Sequence, residues 1–158
     1  MMAGDLSREA EPLASIRKWL LGALALGVIG TAGELILLRH LDEPTQWIPL
    51  VALGLSVPLL IGHAVSPGAG SVRSLQVLMV AFVAAGVAGV GLHFDGNAEF
   101  ESELHPTARG FEWFRQTVAG ATPVLAPGSM VLLGLVGLAH AYQHPGMTGP
   151  RGQERRHE

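Results

Sequence analysis

The chain contains no cysteine, which removes disulfides, iron–sulfur clusters and thiolate zinc sites from its repertoire. Charge is scarce as well. Only 15% of the residues are charged, against about 25% in a typical soluble chain. No G-x-S-x-G elbow, P-loop, dinucleotide fingerprint or H-E-x-x-H helix occurs, so no catalytic residue is assigned and the reading leans away from an enzyme. The few basic residues are scattered rather than gathered into a patch, which argues against nucleic acid as a partner.

What is present is apolar and clustered. Hydrophobic residues make up 49% of the chain, glycine occurs 21 times and mean hydropathy is +0.38. The charges fall almost entirely between long apolar runs, the pattern of an integral membrane protein. Four runs qualify as spans, at about residues 17–38, 47–64, 72–92 and 122–142. The first, from Trp19 to Leu38, would cover about 30 Å as a helix, the thickness of a hydrocarbon core. A cleaved signal peptide is the rival reading there, but the apolar character resumes after Glu34 as LILL, which a signal peptide does not need. Pro49 falls in a first helical turn, where its missing N–H is harmless, and Pro58 lies inside span two as a kink. Ser71 or Ser74 is the expected N-cap of span three.

Residues 1–15 and 143–158 lack apolar periodicity and read as a disordered lead-in and tail. Between spans three and four lies a polar outer segment, 93–121. Within it Phe111, Phe114 and Val118 recur at helical spacing opposite Arg109, Glu112 and Gln116, which predicts a short amphipathic interfacial helix over 107–119 with Trp113 as a further anchor. The fold class is therefore an all-α integral membrane protein, with four transmembrane helices in an antiparallel bundle. Small residues at Ala23, Gly27 and Gly30, at Ala81, Ala85 and Gly89, and at Gly134, Gly137 and Ala141 are the expected contact stripes.

Lysine and arginine set the orientation. Seven (Arg8, Arg17, Lys18, Arg73, Arg151, Arg155, Arg156) fall on one side and three (Arg39, Arg109, Arg115) on the other, which places both termini in the cytoplasm of a bacterial inner (plasma) membrane. The lipid bilayer is one partner, and a homo-oligomer or larger membrane complex is expected.

Two groups of residues carry candidate chemistry. On the outer side, Glu34 is the only carboxylate inside a span, and its place on the small-residue stripe points it inward. His93 and Asp95 form an H-x-D pair, followed by Glu99, Glu101, Glu103 and His105. If extended, that run sets three carboxylates and an imidazole on one face; if helical, it pairs Glu99 with Glu103 and Glu101 with His105. Either geometry offers nitrogen and oxygen ligands to a divalent metal ion. On the inner side, His63, His140 and His144 share one membrane face and read as interfacial histidines. A bis-His haem would need two histidines at matching depth. The pairs His40/His93 and His63/His140 meet that condition, but all four lie at span ends, where a haem would be poorly buried.

The leading expectation is a small inner-membrane accessory or interaction subunit whose acidic, His-containing outer segment is its working surface. A metal-binding or metal-handling protein centred on Glu34, His93, Asp95 and the 99–105 run is the alternative. An oligomeric proton- or ion-coupled transporter is the second. Reporter fusions at Asn97 and at the C-terminus are expected on opposite sides of the membrane. Both on one side would replace the span count or restore the signal-peptide reading.

Overall fold

The computed structural model describes residues 2–39 and 44–147, with side chains from residue 11 onward. Among these the protein is all-helical: α1 (Met2–Leu37), α2 (Trp47–Val65), α3 (Ala69–Leu104), α4 (Gly110–Val118) and α5 (Gly128–Ala141), with short 3-10 turns at Pro44–Gln46 and Pro145–Met147. Three helical stretches are long and apolar enough to cross a membrane: Glu11–Leu37, Pro44–Val65 and Ala69–Leu104. Large apolar side chains stand exposed on each of them, among them Leu26, Leu37, Val65 and Val77. In water so much exposed apolar surface would be a liability, and against lipid it is the solvated face.

The fourth apolar run does not form one long helix. Residues 123–130 turn tightly, with Ala126 N–H bonded to Pro123 O at 3.1 Å and Met130 N–H to Pro127 O at 3.0 Å. The two prolines cannot donate to a helical ladder, so α5 keeps only 14 residues. At 1.5 Å per residue that is about 21 Å.

Three further differences from the expected boundaries have physical causes. Helix α1 extends back to Met2 through most of the lead-in expected to be disordered. Low apolar content denies that stretch a core, but its Ala, Leu, Arg and Glu residues propagate a helix already nucleated downstream. The cap of α3 is Gly68, while Ser71 sits one turn in and accepts the Gly68 N–H at 3.1 Å. Finally, α3 does not stop near Leu92 but continues to Leu104.

Asp95-Gly96-Asn97 has turn chemistry, because Asn and Asp side chains usually bond their own nearby backbone. Here Asn97 is 3% exposed and bonds elsewhere. Its Nδ2 donates to Thr117 O at 3.0 Å and to Thr122 O at 2.7 Å, and its Oδ1 accepts from Thr122 N–H at 3.1 Å. That clasp folds α4 back along the C-terminal half of α3. Trp113 Nε1 donates to Ser102 Oγ at 3.0 Å, and its ring meets Phe94 edge-on with centroids 6.0 Å apart. Phe111 stays exposed on the face of α4 away from α3, and on the polar face Gln116 Nε2 donates to Glu112 Oε1 at 2.8 Å.

Helix α3 packs against α2, α5 and α4, and α1 packs against α2 and α5. Leu24 and Val28 of α1, Leu53 and Leu60 of α2, Leu75, Met79 and Phe82 of α3, and Met130 and Leu133 of α5 form the core. The phase of α1 differs from the expected stripe: Ala23, Gly30 and Glu34 are exposed, and only Gly27 approaches a neighbour, Leu133. Leu24 and Val28 own the inner face because larger side chains fill the space between helices. On α3 the close approach is made by Gly86 and Gly89, not Ala81. The α5 stripe of Gly134, Gly137 and Ala141 is buried as expected.

At Gly86 an added Cβ would lie 2.8 Å from both Pro127 O and Val131 N, and at Gly134 it would lie 2.7 Å from Met79 O. Backbone atoms cannot give way as a flexible side chain can. Gly86→Ala and Gly134→Ala should each cost about 1–3 kcal/mol, seen as a lower melting temperature in detergent. Gly30→Ala, with nothing within 4 Å, should cost nothing. Equal melting of all three variants would remove the close-approach argument.

Candidate metal centre

At the end of the molecule where α2 and α5 finish and α3 begins, three imidazoles meet. His63 lies in the last turn of α2, and His140 in the last turn of α5. His144 arrives by a different route. The chain leaves α5 at Tyr142, takes a left-handed conformation at Gln143 (φ 46°) and thereby folds His144 back over the other two. The three residues are 2%, 3% and 8% exposed. One ring nitrogen from each lies within 4.8 Å of the others, and among the described residues no other group of three or more His or acidic side chains meets that condition. Ring centroids are 5.0–5.4 Å apart.

The surrounding hydrogen bonds orient the rings. His140 Nδ1 lies 3.0 Å from Arg17 O. A carbonyl only accepts, so Nδ1 carries the proton and Nε2 presents a lone pair. His63 Nε2 is 2.9 Å from that lone pair and donates to it. His63 Nδ1 then accepts from Ser71 Oγ at 3.1 Å. The chain of bonds thus runs Ser71 to His63 to His140 to Arg17. His144 Nδ1 accepts from Gly146 N–H at 3.1 Å, which leaves its own proton on Nε2. Arg17 secures the turn as well: its Nη2 donates to Tyr142 O and Gln143 O at 3.3 and 3.1 Å.

Burial holds the His144 imidazole down at about 4, with His63, His140 and the Arg17 guanidinium reinforcing the shift. It is therefore neutral at physiological pH. Neutral imidazoles are the form that binds metal. All three rings suit Zn²⁺, copper, Fe²⁺ or Ni²⁺. Two rings meeting at hydrogen-bond distance leave no slot for a porphyrin plane between His63 and His140, and His40 lies outside the described residues.

The outer candidates are placed differently. Glu34, Asp95, Glu99, Glu103 and His105 are exposed, and none of the seven outer residues belongs to a cluster of metal-ligand spacing among the described residues. His93 donates from Nδ1 to Pro123 O at 3.0 Å. The 99–105 run is helical through Leu104, with His105 as the C-cap, and the expected pair forms: His105 Nε2 lies 3.7 Å from Glu101 Oε2. Because α3 continues to Leu104, the run stays on the same helix as His93 and Asp95.

The triad lay partly in view of the sequence, since the three histidines share a membrane face. Ending span four at residue 142 and reading 143–158 as a tail hid the bend that brings His144 back to close the site. No protein-family model matches the chain, and no curated protein or solved structure is significantly similar to it.

A histidine held neutral by burial lowers stability once the unfolded state can take up its proton. The metal-free protein should therefore be stable above pH 6.5 and lose stability as pH falls from 6.5 toward 4. The groups facing His144 are His63 from α2, and His140 and Arg17 from α5 and α1. Melting temperatures in detergent across that window check it, with His144→Gln expected to flatten the slope. An unchanged slope in that variant would mean that His144 does not titrate in this way.

Proposed function

We propose that this protein is a small multi-pass membrane protein that holds a transition-metal ion, Zn²⁺ or copper, between His63, His140 and His144. In this reading four spans form an antiparallel bundle in a plasma membrane, with the histidine end facing the cytoplasm. The convergence of three buried imidazole nitrogens within 4.8 Å carries the proposal. The basic residues Arg17, Lys18 and Arg73 at the same end support the orientation.

The local bonds suit the change that a metal would require. With ion–nitrogen bonds of about 2.0–2.1 Å, tetrahedral ligand atoms stand roughly 3.3 Å apart. His63 and His140 need to part only a few tenths of an ångström from 2.9 Å. His140 already has its lone pair on Nε2. His63 moves its proton from Nε2 to Nδ1 and donates to Ser71 Oγ, and that hydroxyl turns to Gly68 O (3.0 Å) or Ser66 O (3.1 Å). Second-shell partners of this kind fix ligand orientation. His144 must give up its bond from Gly146, so it contributes least. Three neutral imidazoles beside Arg17 bring no negative charge. A divalent ion there needs an anion such as hydroxide in its fourth position, whereas monovalent copper does not.

A second reading, an accessory subunit whose acidic outer segment is its working surface, is supported by exposed Asp95, Glu99 and Glu103 beside exposed Phe100 and Leu104. The two readings are compatible.

Elemental analysis of detergent-purified protein should find about one metal ion per chain. His63→Gln or His140→Gln should empty the site, and His144→Gln should weaken binding by less. His93→Ala and Glu112→Ala should leave the metal in place. Metal lost with His93→Ala but kept with His63→Gln would move the site to the outer set. A metal-free parent protein that takes up no added Zn²⁺ or copper would reduce the triad to a hydrogen-bonded cluster.

A further inference from the structure

A furrow runs along the lipid-facing seam between α2 and α3. Its larger part has a volume of about 750 Å³, walled by Pro58, Leu59 and Gly62 from one helix and Val77, Leu78 and Ala81 from the other. A second part of about 390 Å³ shares Leu55, Leu78 and Ala81 with the first and continues to Trp47. From Gly62 to Trp47 the helix rises about 22 Å, more than the ~15 Å of one leaflet's hydrocarbon. The seam stays open because Gly62, Ala52 and Ala81 carry little or no side chain.

The furrow is polar at one end only. There His63, Ser71, Arg73 and Ser74 line it. Arg73 is exposed, and no carboxylate among the described residues pairs with it. Ser71 is engaged with His63 and the Gly68 backbone, but the Ser74 hydroxyl lies one residue beyond Arg73 on the same wall. An unpaired guanidinium and a hydroxyl at the mouth of a long apolar channel, at membrane-interface depth, match a phosphate attached to an acyl chain.

We propose that this furrow seats a phospholipid with a net negative headgroup, its phosphate at Arg73 and Ser74 and an acyl chain along the seam toward Trp47. Charge complementarity selects this occupant: the exposed Arg73 cation stands at the one polar end of an otherwise apolar furrow, and an anionic headgroup carrying an acyl chain fits both parts. The proposal does not depend on a metal at the triad.

The test uses full-length protein, delipidated in a neutral detergent and treated with chelator, so that failure of the metal reading leaves it untouched. Dioleoyl phosphatidylglycerol and dioleoyl phosphatidylcholine are added separately, with bound lipid counted by native mass spectrometry and the melting temperature recorded. Phosphatidylglycerol should bind roughly ten-fold tighter, the worth of one charge-assisted contact, and should raise the melting temperature. Arg73→Gln should erase that preference while Arg109→Gln, on the other face, keeps it. Ala81→Phe, at an exposed position that fills the furrow, should weaken both lipids, and glycerol phosphate without acyl chains should not compete. Equal binding of the two lipids, an unchanged preference in Arg73→Gln, or no effect of Ala81→Phe would overturn the proposal. So would a lipid-independent dimer that Ala81→Phe dissolves, or competition by glycerol phosphate.

Discussion

The approach of α3 to α5 is the contact on which the rest of the arrangement hangs. Lipid supplies no hydrophobic reward for bringing helices together, so association depends on how closely backbones can come. Gly86 and Gly134 let each helix rest on backbone atoms of the other, and Gly137 admits Met79 between them. Positions on α3 fall as those on α5 rise, from Gly89 against Pro127 to Met79 against Gly137, so this pair runs in opposite directions. That register delivers the end of α5 to the end of α2. His140 meets His63 at the depth that this glycine-mediated approach sets.

Much of this was legible in the run lengths. A stretch expected over 47–64 forms α2 at Trp47–Val65, and an amphipathic helix expected over 107–119 forms α4 at Gly110–Val118. Hydropathy reports what a segment can bury over its whole length, and single residues matter little to it. What escaped depends on single residues. That α3 runs on past Leu92 depends on where one amide, Asn97, finds its partners, and those are 20 or more residues on in sequence. The side of α1 that faces inward is decided by Leu24 and Val28 competing with a stripe of smaller residues, a contest of volume that periodicity alone does not score. The site was half legible: matched depth placed the three histidines together, but the left-handed Gln143 that closes them is an ordinary glutamine in the sequence.

Arg17 unites two levels of the architecture. As a basic residue before an apolar run it contributes to orientation by the positive-inside rule. In the folded protein the same guanidinium holds the carbonyls of Tyr142 and Gln143, and its own carbonyl fixes the tautomer of His140. The residue that the positive-inside rule reads as an orientation signal is thus also the residue that secures the last helix.

Helix α3 is one uninterrupted rod between two attachment points. Near its start Ser71 is bonded to His63, and near its end Ser102 is bonded to Trp113 of α4. At 1.5 Å per residue those points stand about 46 Å apart, farther than a hydrocarbon core is thick. No glycine hinge or proline joint opens between them in the helical ladder. A tilt applied at the α4 end therefore has no place to dissipate before it reaches the serine beneath the imidazoles, and the two ends of the molecule share a single mechanical element.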